Sequence, residues 1–204
     1  MRHDAPVVRL GEGPLRPGEP RLDPARSTAW RAIGALLACA ARFVWRVARR
    51  DLHQPPAGVG RELRFADGST ARVYRVTVSD HQAPREPTLL VVSFRLRGVR
   101  REWEHATFRV ESVCNTLLFA GFPGFVSKRW LDHDQNGVYR GIYQWDGEAR
   151  AAAYVGALWW PLALVSANGS IHATIVPGVR TDEALVSPAL LGSVPGAGEW
   201  WRPV

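Results

Sequence analysis

Lys128 and Trp130 stand two residues apart in the run Phe125-Val126-Ser127-Lys128-Arg129-Trp130-Leu131. On a strand, alternation turns both to one side. There Trp130 forms a pocket wall and Lys128 binds a substrate enolate or carboxylate. The structural alternative is that Trp130 packs a helix–sheet core and Lys128 reaches a surface carboxylate. Tyr139, Tyr143 and Trp145 share one face of the next strand. Aromatic bodies with polar tips suit a flat organic ligand, and they are also ordinary strand residues. His105 and His172 are the candidate catalytic acid–base groups, because imidazole alone titrates near neutrality unperturbed. The plainer reading of a lone His is a structural or surface residue. His81 and His133 fall in polar loops, and Asp132-His133-Asp134 reads more simply as a turn than as a metal site. In Trp159-Trp160-Pro161, neighbouring helical positions diverge by about 100°. One Trp then enters the core while the other faces a ligand mouth or partner, which adds Trp159 to the candidate substrate-binding set.

These residues need a scaffold. Arg61–Ala66 and Thr70–Ser79 read as a hairpin, with Asp67-Gly68 suited to a tight primed turn. Leu89–Leu96 is an apolar, β-rich run. Trp103–Phe119 has helical spacing through Trp103, Ala106, Val110, Val113, Cys114, Leu117 and Leu118, and Gly121-Phe122-Pro123-Gly124 ends it. Phe125–Leu131 and Val138–Trp145 are strands around the turn Asp132–Gly137. Asp146 can cap a second helix with Tyr154, Leu158 and Leu162 on its apolar face, and Ser170–Val176 is a fourth strand. The order β-α-β-β-α-β is a split βαβ, or ferredoxin-like, α+β unit.

Within that unit, Pro123-Gly124-Phe125 followed by Lys128 and Trp130 makes a P-G-F-x-x-K-x-W pattern. Gly141-Ile142-Tyr143 and Ala153-Tyr154 follow it. In these residues, over about 88–177, the chain resembles the dimeric α+β barrel superfamily, the antibiotic-biosynthesis-monooxygenase-like proteins, and their small monooxygenase-like subgroup. The resemblance implies a homodimer whose two four-stranded sheets meet to close a barrel. It also implies an apolar pocket between each sheet and its own helices. It implies an oxidoreductase (monooxygenase) of secondary metabolism, acting without metal or flavin on an aromatic, polyketide-like molecule. The alternative is a non-catalytic ligand-binding or assembly protein of the same fold, attached to a partner or membrane surface by its N-terminal helix. Haem remains open as a substrate or ligand, although Leu89–Leu96 lacks the Asn that haem-degrading members use.

Outside the unit, residues 1–26 read as a disordered arm, interrupted by Pro6, Pro14, Pro17, Pro20 and Pro24. A helix capped by Ser27 or Thr28 runs through 27–54. It carries Trp30, Ile33, Leu37, Ala40, Phe43, Val44 and Val47 as one stripe, with Arg31, Arg42, Arg46, Arg49 and Arg50 around it. Its uninterrupted apolar run, Ala32–Ala41, is ten residues, about half of a bilayer crossing. Two placements stay open: packing on the domain or a partner subunit, or peripheral contact with a membrane surface. The hairpin 61–79 and the tail 178–204 are additions to the unit, and Trp200-Trp201 is expected to dock on the domain or on a dimer mate.

Composition narrows the function classes. Lys and Arg number 26 against 19 Asp and Glu, a net charge of +7 on 204 residues, with pI about 10.4. Lys128 is the only lysine, and residues 1–52 hold ten Arg against five acidic residues, which is +5 of that charge. The charge therefore belongs mostly to the extension. No nucleic-acid-binding motif accompanies it, so no nucleic-acid partner is expected. Two Cys exclude a disulfide scaffold, and both read as small core residues. No dinucleotide fingerprint, P-loop, zincin motif or nucleophile elbow occurs. No apolar h-region of a signal peptide stands at the start, and the expected location is cytoplasmic or membrane-peripheral.

Overall fold

The computed structural model describes residues 21–80, 83–98, 116, 119–191 and 199–204. Its elements are β1 (Arg21–Leu22), α1 (Ala29–Ala48), β2 (Leu52–His53), β3 (Glu62–Arg64), β4 (Thr70–Ser79), β5 (Pro87–Arg95), β6 (Phe125–Leu131), β7 (Val138–Asp146), α2 (Glu148–Val165), β8 (His172–Pro177) and α3 (Thr181–Val186). Short 3-10 turns follow at Pro188–Leu191 and Glu199–Trp201. The predicted helix Trp103–Phe119 falls almost wholly outside the described residues, with His105 and Cys114. So do His81 and residues 1–20.

The strands lie in the order β1-β8-β5-β7-β6-β4-β2, with β3 attached to β4. The four expected strands occupy the middle as fourth, first, third and second, each antiparallel to its neighbour. The third strand thus sits between the first and second, as a split βαβ unit requires. The fold is α+β. The hairpin is not a separate module, because β4 pairs along β6 and extends the same sheet.

Strand β5 explains the layering. Thr88–Ser93 are buried without a break, so both sheet faces must be covered. Leu90 and Val92 join one core with Tyr143, Trp145, Ala173 and Ile175, under α1 and α2. Leu89 and Val91 join a second core with Ile142 and Val176. That second core is closed by Leu63 and Phe65 of the hairpin, Ala184 and Leu185 of α3, Leu191 and Trp201. The resemblance implies that this face meets a partner's sheet. Here the chain's own additions pack against it. Trp201 docks on the domain, as one of the two expectations has it.

Local details correct several expectations. At the hairpin turn only Gly68 has positive φ (80°), so the primed turn does not form. The Asp67 carboxylate instead accepts from the Ser69 backbone N–H at 2.9 Å. Neither Ser27 nor Thr28 caps α1 through its side chain; Ser27 Oγ donates to Gly156 O at 2.9 Å. Helix α2 starts after Gly147, and the Asp146 carboxylate pairs with Arg150 rather than capping. The stripe on α1 also points the unexpected way. Ala32 and Cys39 face the core with Arg46, joined by partly buried Leu36 and by Phe43 of the stripe, whereas Trp30, Ile33, Leu37, Val44 and Val47 are exposed. Small inward residues allow close approach: a Cβ on Gly121 would fall 1.9 Å from the Cys39 carbonyl oxygen.

Arg140, on β7, ties the additions together and is 3% exposed. Its Nη1 donates to Asp134 at 2.6 Å, Nη2 to Asp67 at 3.1 Å and Nε to the Trp200 carbonyl at 3.0 Å. The guanidinium also lies 4.5 Å from the centre of the Phe65 ring. One side chain thereby joins the β6–β7 turn, the hairpin turn and the C-terminal segment. Removing one partner of a buried ion pair strands the other, which costs about 3–5 kcal/mol. Arg140→Met should lower unfolding stability by that amount in urea titrations and expose the C-terminal segment to protease. Adding Asp134→Asn should recover part of the loss. An unchanged urea midpoint would show that Arg140 is not the tie.

Candidate aromatic–lysine site

Strand β6 carries the site. Alternation would place Phe125 and Lys128 on opposite faces, but the pairing with β7 shifts register between Phe125 and Ser127. That irregularity turns Phe125, Lys128 and Trp130 to the same side, under the helices. Across the ladder, Tyr143 is the partner of Lys128 and Gly141 the partner of Trp130. The Tyr143 ring lies back over Gly141, where an added Cβ would come within 2.8 Å of ring carbon Cε2. Gly141 is therefore what leaves room for that ring.

The Lys128 amine sits among three rings. Nζ is 3.1 Å from the centre of Trp130, 4.5 Å from Phe119 and 4.7 Å from Tyr143. Phe119 meets Trp130 and Tyr143 edge-on at 5.3 and 6.1 Å. The Arg75 guanidinium covers Trp130 at 4.0 Å, and the indole Nε1 donates to Thr77 Oγ1 at 3.2 Å. The Tyr154 hydroxyl donates to the Tyr143 hydroxyl at 3.2 Å. Trp145 extends the cluster, 4.9 Å from Tyr154 and 5.8 Å from Phe125.

Electrostatics follow from burial. Lys128 is 6% exposed, and no carboxylate pairs with it among the described residues. Desolvation holds its pKa well below the usual lysine value, and the nearby Arg75 charge lowers it further. The rings attract a cation, but they do not replace the lost hydration. Desolvation also raises Tyr143 and Tyr154, so both phenols stay protonated. Burial pushes the Cys39 thiol up to about 11, which leaves it unreactive. The site thus offers an amine that tends to the neutral, proton-accepting form, two neutral hydroxyls and aromatic walls.

Of the residues singled out in the sequence, Lys128, Trp130 and Tyr143 converge and Trp145 adjoins them. Tyr139 shares their strand but stacks on Phe94 at 5.8 Å and meets His133 edge-on at 5.6 Å. It belongs to the far end of the sheet. Trp159 lies on the outer side of α2 under the Arg26 guanidinium at 4.6 Å, in edge contact with half-buried Trp160. Neither Trp faces the lysine. His105 lies outside the described residues. His172 is a correction: it shares strand parity with Val176, which belongs to the second core. It is exposed on the opposite face, 3.4 Å from Asp23, and that hydrogen bond raises its pKa. It cannot serve the lysine cluster.

The Asp132–Asp134 turn is a turn. Asp134 is committed to Arg140 and to the backbone N–H groups of Asn136 and Val138. No group of His, Cys, Asp or Glu among the described residues could hold a metal. Phe119, Tyr154 and Arg75 were missed by the sequence reading of the site. Tyr154 carried a signal as an apolar-face residue of α2. Arg75, on a hairpin strand set apart from the unit, had none.

Stability should report the lysine directly. A lysine with a lowered folded-state pKa binds its proton more tightly when unfolded. The penalty is full below the folded pKa and vanishes above the ordinary lysine value, so stability rises with pH between the two. Lys128→Met should be more stable than the parent at neutral pH, with the difference shrinking toward alkaline pH. A parent curve parallel to that of the variant would show the amine to be solvated. His172→Gln should leave the alkaline part of that pH dependence unchanged, as expected of an exposed group on the other face.

No protein-family model and no curated protein matches the sequence. Among solved structures, the chain is similar to an uncharacterized ferredoxin-fold protein related to antibiotic biosynthesis monooxygenases from Listeria monocytogenes 4b F2365. Identity is 13%, over 76% of this chain and 90% of that one, with a TM-score of 0.40. A heme-degrading enzyme from Listeria monocytogenes matches at 13% identity over 76% of this chain and 96% of that one, with a TM-score of 0.38. An anthrone oxidase-like protein matches at 11% identity over 82% and 95%, with a TM-score of 0.39.

Proposed function

We propose that the protein is a cofactor-independent monooxygenase acting on a hydrophobic aromatic or polyketide-like molecule bound between the sheet and its helices. The observation that carries this reading is the Lys128 amine among Trp130, Phe119 and Tyr143, shifted by burial toward its neutral form. The resemblance over Pro123–Trp130 points to the same class. Lys128 takes the place in the reaction that the sequence had assigned to His105 or His172.

The substrate is a CH2 group made acidic by a flanking aryl ketone, or the phenol that is its tautomer. The neutral Nζ accepts the proton, and the substrate becomes an enolate beside the newly formed ammonium. Neighbouring positive charge and the aromatic walls hold that flat anion. The enolate carbon then transfers electrons to O2 and bonds to one of its oxygens, and the Lys128 proton passes to the other. Loss of water turns the C–O–OH carbon into a carbonyl. Across the cycle, CH2 and O2 become C=O and H2O, a four-electron oxidation that needs no external reductant. The Tyr154–Tyr143 hydroxyl pair orients the substrate oxygen.

Oxygen uptake with anthrone-type ketones and polycyclic phenols under air tests the reading. One O2 should disappear per carbonyl formed, and kcat/KM should rise with pH until Lys128 is neutral and then level off. Lys128→Met and Lys128→Arg should each lose about 10²–10⁴-fold in kcat, Arg because a guanidinium does not deprotonate. Circular dichroism checks that both variants are folded. Absence of uptake together with absence of tryptophan quenching by these compounds would overturn the proposal.

A further inference from the structure

We infer that the outward face of α1 is a docking surface for an anionic lipid membrane, on which the protein rests with this helix in the interfacial plane. Trp30, Ile33, Leu37, Val44, Trp45 and Val47 are between 48% and 83% exposed. At 100° per residue these positions form one continuous arc, opposite the arc of Ala32, Cys39 and Arg46 that packs on the domain. Ala32 and Cys39 point inward together with partly buried Leu36 and Phe43, and the opposite face, with its bulky apolar side chains, is left uncovered by the described residues.

Charge decides the occupant. Between Asp23 and Asp51 the sequence has six Arg and no acidic residue. Arg46 is turned inward onto the Ala120 carbonyl at 2.9 Å, but Arg31, Arg42, Arg49 and Arg50 are exposed. Arg31 and Arg42 follow each other along one flank of the apolar arc. Arg49 lies 4.7 Å over the Trp45 ring at the C-terminal end. An apolar strip flanked by cations, with a Trp near each end, matches the boundary between acyl chains and acidic headgroups. A second copy of the same face would oppose Arg to Arg with no carboxylate to answer it. No helix among the described residues is long and apolar enough to cross a membrane, so the contact lies along the surface. It is independent of the chemistry at Lys128.

Flotation of the full chain with phosphatidylcholine vesicles, with and without phosphatidylglycerol, provides the test. The protein should float with the phosphatidylglycerol vesicles, dissociate as salt rises and stay behind with phosphatidylcholine alone. The double variant Leu37→Asp, Val44→Asp alters only exposed positions and should lose binding by at least about tenfold. Circular dichroism should be unchanged. No binding to the anionic vesicles overturns the inference, as does equal binding to neutral ones or binding that survives the two aspartates. A dimer in sedimentation that the same variant dissociates, without vesicle binding, overturns it in favour of a second copy.

Discussion

The burial of strand β5 on both faces is the constraint from which the rest of the structure follows. A strand with six consecutive buried residues, Thr88–Ser93, cannot face water on either side. One face takes the helix layer and, with it, the aromatic cluster. The other takes the hairpin, α3 and the C-terminal Trp. Each added segment has a place because an apolar face would otherwise stand open, at a cost of roughly 25 cal/mol for every Å² of apolar surface.

Covering the second face from within also brings polar backbone and charged turns over a hydrophobic core. Arg140 resolves this. Its guanidinium answers two carboxylates and a carbonyl at once, and Gln144 does similar work by accepting from the Thr181 backbone N–H at 2.6 Å. These bonds hold the additions in fixed register on the sheet. On the helix-side face a ring cluster encloses Lys128, with Arg75 and Thr77 against Trp130. The two faces of one sheet thus differ: charged ties over one, a ring-enclosed lysine on the other.

Much of the central unit was legible because its signals are local. Strand runs, turn residues and the helical spacing of Tyr154 and Leu158 depend on neighbours in sequence, and they yield the four strands and α2 directly. The pairing of Lys128 with Trp130 was legible for the same reason, since strand alternation needs only two positions. The parity of Phe125 was not, because a bulge forms between two strands. Nor was the role of Arg75, whose approach to Trp130 depends on β4 pairing along β6. The stripe on α1 misled because the helix is apolar around most of its circumference. Periodicity finds the bulkiest side, whereas the close approach of Gly121 to the Cys39 carbonyl selects the side of Ala32 and Cys39.

By itself, then, the sequence determined the four central strands and the helix before the last of them, the shared side of Lys128 and Trp130, and the concentration of positive charge in the extension. These depend on residue type and spacing alone. Only the tertiary structure decided that Lys128 is desolvated, that His172 lies on the opposite face, and that the second face is covered by the chain's own tail. Desolvation, facing and cover are properties of what surrounds a residue. Those surroundings come from β4, α1 and the C-terminal segment, far from the site in sequence and adjacent to it only after folding.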